Sequence, residues 1–594
     1  MGWSSFKEEE KSGVVAGIAL RDSFPWHGPV LVLLCSLLFF FPIQDLPFSN
    51  KGEAREAVVV QAIVNQGNWL FPLRPSGRLP SKPPLFHWVG ALASTAYGTA
   101  TEATVRFPSA FFATLGVLLI YLLGRRMFGA DCGFWAAVIL ATSLDYHFLG
   151  VSARVDMTLT FFVTLSMALF YFLHSGYLGG PFWQAVFYAV LGVSVLAKGP
   201  ISVVFVVLVV GLFFAREKRW SEFWQFLFHR MMLLTVLIVA FWYGLAVLKD
   251  GEHFIQKQIV RENLTRFWAF GAEGARHEKP FYYYLPYLML NGLPWTFFLP
   301  FVVVDSFKRH GVAEQSHRFL VAWVIGIFLF LSASAGKRPD YLLPLYPALA
   351  LLISQWFSRQ GEPGRKSHVA LTVMGGFFLL VALLSLGLAW DFGSPGLYFL
   401  DFFSSQLRSK DQQQVVWVAR GVAEQRWLAS SILVLFCGVS LFLSRALFQP
   451  RLQAVRVYVL VLAVLGLVLG QCVFLRAIAE GKSYASFMSQ VRKELDGDGK
   501  LYVYGHGFDK NQILFYQGGE VPVLDVSPEK LAERLQLEDD LIILTGQQWK
   551  QIAVDHPIPA PLVKSEGLGP DGDASLVLIR GEGQPYGGGG EMKG

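Results

Sequence analysis

Long apolar runs separated by short polar clusters fill about the first four fifths of the chain. They predict spanning helices at about 28–46, 105–127, 131–150, 156–175, 182–197, 199–216, 229–249, 281–304, 318–335, 340–357, 367–390, 427–447 and 453–475. A helix of about 20 residues covers a hydrocarbon core of about 30 Å, so these thirteen runs are read as thirteen crossings. The run 84–98 is also apolar, but it is short and follows Pro83 and Pro84, which marks it as a helix lying at the interface. Residues 53–66 carry Ala57, Val60, Gln61 and Val64 along one helical stripe, the pattern of an amphipathic helix on the outer leaflet. After Phe474 the periodicity changes. LYVYG, QILFYQ, VPVLDV, LIILTG and SLVLIRG read as short strands, and 528–537 and 547–554 read as helices. The pattern therefore divides the chain into a leader (1–27), a transmembrane domain (28–479) whose first outer loop is 47–104, a small α/β domain (480–580) and a low-complexity, flexible tail (581–594).

Composition agrees with a polytopic α-helical membrane protein. Of 594 residues 53% are hydrophobic and 16% charged, where a soluble protein carries roughly a quarter charged, and the mean hydropathy is +0.44. The net charge of +6 is therefore no sign of nucleic-acid binding. All four cysteines fall in or beside apolar runs, and neither a disulfide framework nor metal-ligand spacing is present in the sequence. The first run follows a mixed-charge leader without a clean cleavage site, which reads as a retained helix.

Charge then sets the orientation. With thirteen spans, one set of short loops collects Arg125 and Arg126, then Arg216, Lys218, Arg219 and Arg230, then Lys308 and Arg309, then Arg359, Arg365 and Lys366, then Arg445, Arg451 and Arg456. Short basic loops belong in the cytoplasm, so the N-terminus is expected inside and the C-terminal domain outside. Glu53, Arg55, Lys82, Arg154, Asp156, Lys198, Arg261, Arg266, Lys337, Arg338, Asp340 and Tyr341 all then fall at the outer face, most of them at helix ends. Ionisable groups beside a bilayer are costly and mark a functional site by default.

The chemistry of these groups suits transfer of a phosphorylated sugar. Glu53 and Asp156 are carboxylates able to take a proton from an acceptor, although Glu53 also fits the dipole at a helix start and Asp156 fits a helix cap. Lys82 is held among Pro80, Pro83 and Pro84. Lys198 precedes a Gly-Pro break where it could instead snorkel, and Arg261 and Arg266 can grip phosphate with two hydrogen bonds each. Lys337, Arg338, Asp340 and Tyr341 open a proline-kinked helix and also fit interfacial anchoring.

GEAREA, NQGNW, KPPLFHW, RVDM, AKGP, RENLTRF and GKRPDYLLPLYPALALL occur in that order over about residues 28–360. The chain in this respect resembles the bacterial branch of the protein O-mannosyltransferase superfamily, and most of all the lipid A aminoarabinose transferases. The resemblance implies a GT-C fold and a sugar donor linked to polyprenyl (undecaprenyl) phosphate. It implies an inverting transfer to a lipid A-like acceptor at the periplasmic face of the bacterial inner membrane. Lys82 matches the family lysine implied in phosphate binding; Arg266, Lys337 and Tyr341 match positions near the lipid phosphate. The family's Asp-Glu pair is here Gly52-Glu53, so the base is Glu53 or Asp156. No cofactor is expected; a divalent metal could be recruited by two carboxylates but is not required. The expected partners are the donor, a lipid or protein acceptor and membrane lipids. A protein O-glycosyltransferase of the same fold is the alternative, and beyond it a non-catalytic scaffold or a lipid flippase. The clustering of charge at helix ends on one side disfavours the flippase.

Overall fold

The computed structural model describes residues 26–582, apart from 45, 75–76, 78, 259, 261–278, 309–313, 360–364, 395, 408, 496–499, 506–507, 571 and 573. Most of the leader, most of the tail, Arg261 and Arg266 lie outside the described residues.

A helical segment stands at each of the thirteen apolar runs. Among the described residues nine helices are long and apolar enough to cross a membrane, from Glu102–Phe128 to Leu452–Lys482, and two further stretches are bent pairs. The remaining two, His27–Phe40 and Ile201–Arg216, are shorter apolar helices. The bends correct the straight spans expected at 131–150 and 281–304. Ala130–Ala141 meets Leu144–Gly150 at 66°, where the hydroxyls of Thr142 and Ser143 turn back onto the carbonyls of Val138 and Ile139 at 2.7 Å and compete with the helical ladder. Phe281–Asn291 meets Trp295–Lys308 at 113° across Gly292, Leu293 and Pro294, where proline has no N–H to continue a helix. The last crossing runs on past its expected end, to Lys482.

The expected amphipathic helix is present as Lys51–Gln66, and the interfacial one as Leu85–Tyr97. The first does not lie open on a leaflet: Ala54, Ala57, Val59, Val60 and Ile63 are fully buried, because the C-terminal domain covers it. That domain is a five-stranded mixed sheet of β1 (Leu501–Tyr504), β2 (Val523–Leu524), β3 (Leu541–Thr545), β4 (Val563–Lys564) and β5 (Leu576–Arg580), in the order β2-β1-β3-β5-β4. β1 pairs in parallel with β2 and β3; β5 pairs antiparallel with β3 and β4. Alternate residues divide between two cores. Leu501, Val503, Leu541, Ile543 and Leu578 join Ala57, Val60 and Phe48 of the first outer loop, while Ile542, Leu544, Val577 and Ile579 pack on the far side with Leu531 and Leu535.

QILFYQ, expected as a strand, is the helix Asn511–Gln517. Its four apolar side chains are contiguous in sequence, and the short run gives no period. The helix instead docks on the first outer loop. Tyr516 accepts the Phe48 N–H at its hydroxyl (3.0 Å), Gln512 donates to the Phe48 carbonyl (3.0 Å), and Gln61 donates to the Phe515 carbonyl (3.1 Å). The predicted helices at 528–537 and 547–554 are present as Pro528–Leu537 and Gly546–Asp555.

Candidate active site

The Lys82, Asp156, Lys198, Asp340 and Tyr341 side chains meet at a half-open cavity whose remaining lining includes Leu159, Ile201, Phe205, Phe330, Leu331 and Pro344. Sequence places each polar group there for a local reason. Lys82 follows a loop whose Pro80 carbonyl accepts from the buried Gln258 amide (3.5 Å), and Pro83 and Pro84 behind it are buried. Asp156 lies in the first turn of Val155–His174, and Lys198 ends Gly180–Lys198, so two helix ends of opposite polarity bring their charges together. Lys198 donates to Asp156 at 2.5 Å, and its ammonium lies 4.4 Å from the centre of the Tyr341 ring. Asp156 is therefore engaged in the site and does not cap its helix: the cap residue is Arg154, which makes no side-chain cap bond. The snorkelling alternative for Lys198 also falls away, since its charge turns onto a buried carboxylate.

Glu53 stands differently. It is buried and accepts from Arg106 Nε (2.8 Å), Arg106 Nη2 (3.3 Å), the Ala153 N–H (3.0 Å) and the Asn50 amide (2.9 Å). Asn50, not Glu53, caps the helix through the Glu53 N–H. Burial alone pushes the Glu53 carboxyl up, but the Arg106 guanidinium and the Ala153 N–H outweigh it and hold its pKa below the usual range. With both oxygens occupied and no place in the cavity lining, Glu53 is a keystone of the outer loop. Of the two carboxylates, Asp156 is the one that lines the cavity. Arg106, the partner that sequence reading missed, sits inside the Glu102–Phe128 crossing, where a buried arginine among apolar residues was itself the signal. It also donates to the Pro47 carbonyl (3.3 Å) and to the Leu46 carbonyl (2.5 Å), and its guanidinium lies 5.0 Å from the centre of the Phe48 ring.

The other candidates divide. Arg55 grips Glu56 Oε1 with Nε (2.9 Å) and Nη2 (2.6 Å), and the other Glu56 oxygen meets His87 Nε2 at 2.8 Å. Burial raises the Glu56 pKa, but Arg55 and His87 reverse this and lower it strongly. Glu56 and His87 thus anchor the Arg55 stem, a layer invisible in sequence because Glu56 and His87 are 31 positions apart. Arg338 pairs with Asp340 at 2.9 Å. Lys337 is buried and donates its ammonium to the Ser334 carbonyl, which corrects its expected place on a phosphate: it closes the turn before Pro339 and does not line the cavity. Among the described residues no group of three His, Cys, Asp or Glu side chains is placed to hold a metal ion.

Against known proteins, residues 81–243 match the family of dolichyl-phosphate-mannose-protein mannosyltransferases. The chain is 27% identical over 378 residues to an undecaprenyl phosphate-alpha-4-amino-4-deoxy-L-arabinose arabinosyl transferase of Enterobacter sp. (strain 638), covering 62% of this chain and 66% of that one. It is 28% identical over 374 residues to such a transferase from Pseudomonas fluorescens (strain Pf0-1), covering 61% and 64%. The match thus takes in about two thirds of these relatives' length. Its fold is similar to the crystal structure of ArnT from Cupriavidus metallidurans bound to undecaprenyl phosphate, with a TM-score of 0.72 at 18% identity over 94% of this chain and 99% of that one. The chain therefore has the GT-C fold, and its sequence is similar to the aminoarabinose transferases over about three fifths of its length. Within this GT-C architecture the cavity lies where the crossings Val155–His174, Ile201–Arg216 and Gln315–Ala333 meet the 3₁₀ segment Pro339–Leu345, with the charged groups gathered at one end.

Proposed function

We propose that the protein transfers a sugar from undecaprenyl phosphate to a lipid A-like acceptor at the periplasmic face of a bacterial inner membrane. The observation that carries this reading is the cavity itself, charged at one end and lined with Leu, Ile and Phe along its walls. Such a chamber suits an amphiphile whose phosphate meets Lys82 and Lys198 and whose isoprenoid runs between helices. Asp156 orients the acceptor hydroxyl or phosphate and takes its proton as the oxygen attacks the anomeric carbon. The bond from that carbon to the phosphate oxygen breaks, and undecaprenyl phosphate leaves with its developing charge met by Lys82 and Lys198. In-line attack inverts the anomeric centre. The donor arrives activated, so the residues present suffice without a metal. The N-terminus and short basic loops face the cytoplasm, and the sheet domain faces the periplasm.

The test is transfer from radiolabelled undecaprenyl phosphate-sugars to membrane lipid and protein extracts. Wild type should consume one donor and label a lipid; Asp156→Asn should lower kcat by about 10²-fold or more, and Lys82→Ala should weaken donor use. A labelled protein would transfer the reading to O-glycosylation. No consumption, together with no binding of undecaprenyl phosphate, would remove the transferase.

A further inference from the structure

Arg154 was not among the residues expected to bind substrate. The structure sets its guanidinium at the junction of three elements of the site: the start of Lys51–Gln66, the start of Val155–His174 and the 3₁₀ segment Pro339–Leu345. Its backbone is pinned in both directions, since the Arg154 N–H donates to Ser109 Oγ (3.4 Å) and the same hydroxyl donates to the Arg154 carbonyl (3.2 Å). Its head group is not: among the described residues the guanidinium makes no hydrogen bond to a protein acceptor, and its one ion pair is a loose 3.7 Å to Asp340, which Arg338 already holds at 2.9 Å. A guanidinium has five N–H donors in a fixed fork that matches phosphate. One held with its backbone fixed, 20% exposed and 3.7 Å from Asp340 of the cavity lining, with its donors otherwise unspent among the described residues, is arranged for an anion.

Gly52 makes this position available. A Cβ at residue 52 would stand 2.4 Å from Arg154 Nη1 and 2.8 Å from Arg154 Cζ, so the guanidinium occupies the volume that any other residue's side chain would enter. We infer that Arg154 is a phosphate ligand of this site and that Gly52 is the residue that lets its guanidinium reach that place. The inference rests on the reading of the cavity as a lipid-phosphate site. The phosphate is that of the departing polyprenyl phosphate or one carried by the acceptor lipid, and the guanidinium chemistry is the same for both.

Gly52 also makes the inference separable from folding. It lies within a helix, so Ala there favours the helical backbone; the two nearest atoms it meets belong to the movable end of Arg154, and the third is the capping Asn50 oxygen at 3.0 Å, whose disturbance the unfolding measurement would register. The experiment uses the full-length protein in detergent, with undecaprenyl phosphate and, separately, bis-phosphorylated lipid A as probes. It compares Arg154→Ala, Arg154→Lys, Gly52→Ala and the Gly52→Ala/Arg154→Ala double variant, with thermal unfolding measured for each. Arg154→Ala should weaken one of the two probes ~10- to 100-fold. Gly52→Ala should weaken the same probe with its unfolding temperature held or raised, and the double variant should be no worse than Arg154→Ala alone. Arg154→Lys should recover only part of the loss, since an ammonium lacks the fork. Which probe responds names the phosphate. Wild-type affinity for both probes in Arg154→Ala, or additive losses in the double variant, would overturn the inference alone. Failure of wild type to bind either probe would remove the lipid-phosphate reading and this inference with it.

Discussion

Glu53 and Asp156 are both buried and both face a cation, yet only Asp156 also lines the cavity. Glu53 spends both oxygens on four donors, so Glu53→Gln leaves Arg106 buried with an uncompensated charge; a broken buried pair costs about 3–5 kcal/mol. The expected outcome is a large fall in the thermal unfolding temperature in detergent, whereas Asp156→Asn, whose Lys198 partner opens onto the cavity, should cost less stability and fail in turnover. The same contrast has a pH signature. Glu53 and Glu56 both have folded pKa values below their unfolded ones. The unfolded chain therefore binds more protons through that interval, and stability rises with pH there. Their contribution should be fully present above the ordinary glutamate range and be lost as the pH falls below about 4, which unfolding temperatures measured down the acid limb would register. Sequence pointed to Glu53 but not to its duty, because Arg106 lies 53 positions away inside a run read only as a crossing. Lys82, Asp156, Lys198 and Tyr341 were legible because each stands at a helix end or a proline-stiffened loop, where an apolar pattern visibly stops. Lys337 misled for the same reason: its place beside the site is right, and only the side-chain direction, set by the Ser334 carbonyl, differs.

At the scale of elements, the segment most misjudged is the one that joins the two halves of the molecule. Asn511–Gln517 has a run of four apolar residues that fits a strand as well as a short helix; what decides is the first outer loop, more than 400 residues earlier, offering backbone groups to be satisfied. Gln512 alone serves Phe48, Lys482 and Tyr484, so Gln512→Ala strands two buried backbone groups, those of Phe48 and Tyr484, at about 1–3 kcal/mol for each left unsatisfied. Hydrogen exchange should show residues 46–50 losing protection in this variant. Tyr516→Phe, which removes one acceptor, should produce a smaller change at the same residues. Unchanged protection in both would mean that the loop is held by Arg106 alone. The bends at Thr142–Ser143 and Gly292–Pro294 were likewise hidden, since each flank is as apolar as an unbroken crossing and only the break residues differ.

For the whole molecule, hydropathy alone located thirteen helical segments, and charge distribution placed the polar groups of the cavity on one side. Large side chains such as Leu248 (85% exposed) and Trp390 (81%) face outward, as befits a surface that meets lipid. The proposed orientation predicts that, in a cysteine-free background, a cysteine at Lys550 reacts with a membrane-impermeant maleimide in cells whose outer membrane alone is permeabilised, and one at Arg216 does not until the inner membrane is opened. The reverse pattern would invert the topology. The clasp between Phe48 and the helix Asn511–Gln517 also has a consequence in time. Ribosomes deliver the first outer loop early and the helix that fastens it more than 400 residues later, with the crossings between them made in the interval. The loop carrying Gly52 and Glu53 therefore cannot settle against its final support until the sheet domain has been made. The start of the helix Lys51–Gln66 is thus completed by a segment made more than 400 residues later, so assembly of this corner of the fold waits on the sheet domain.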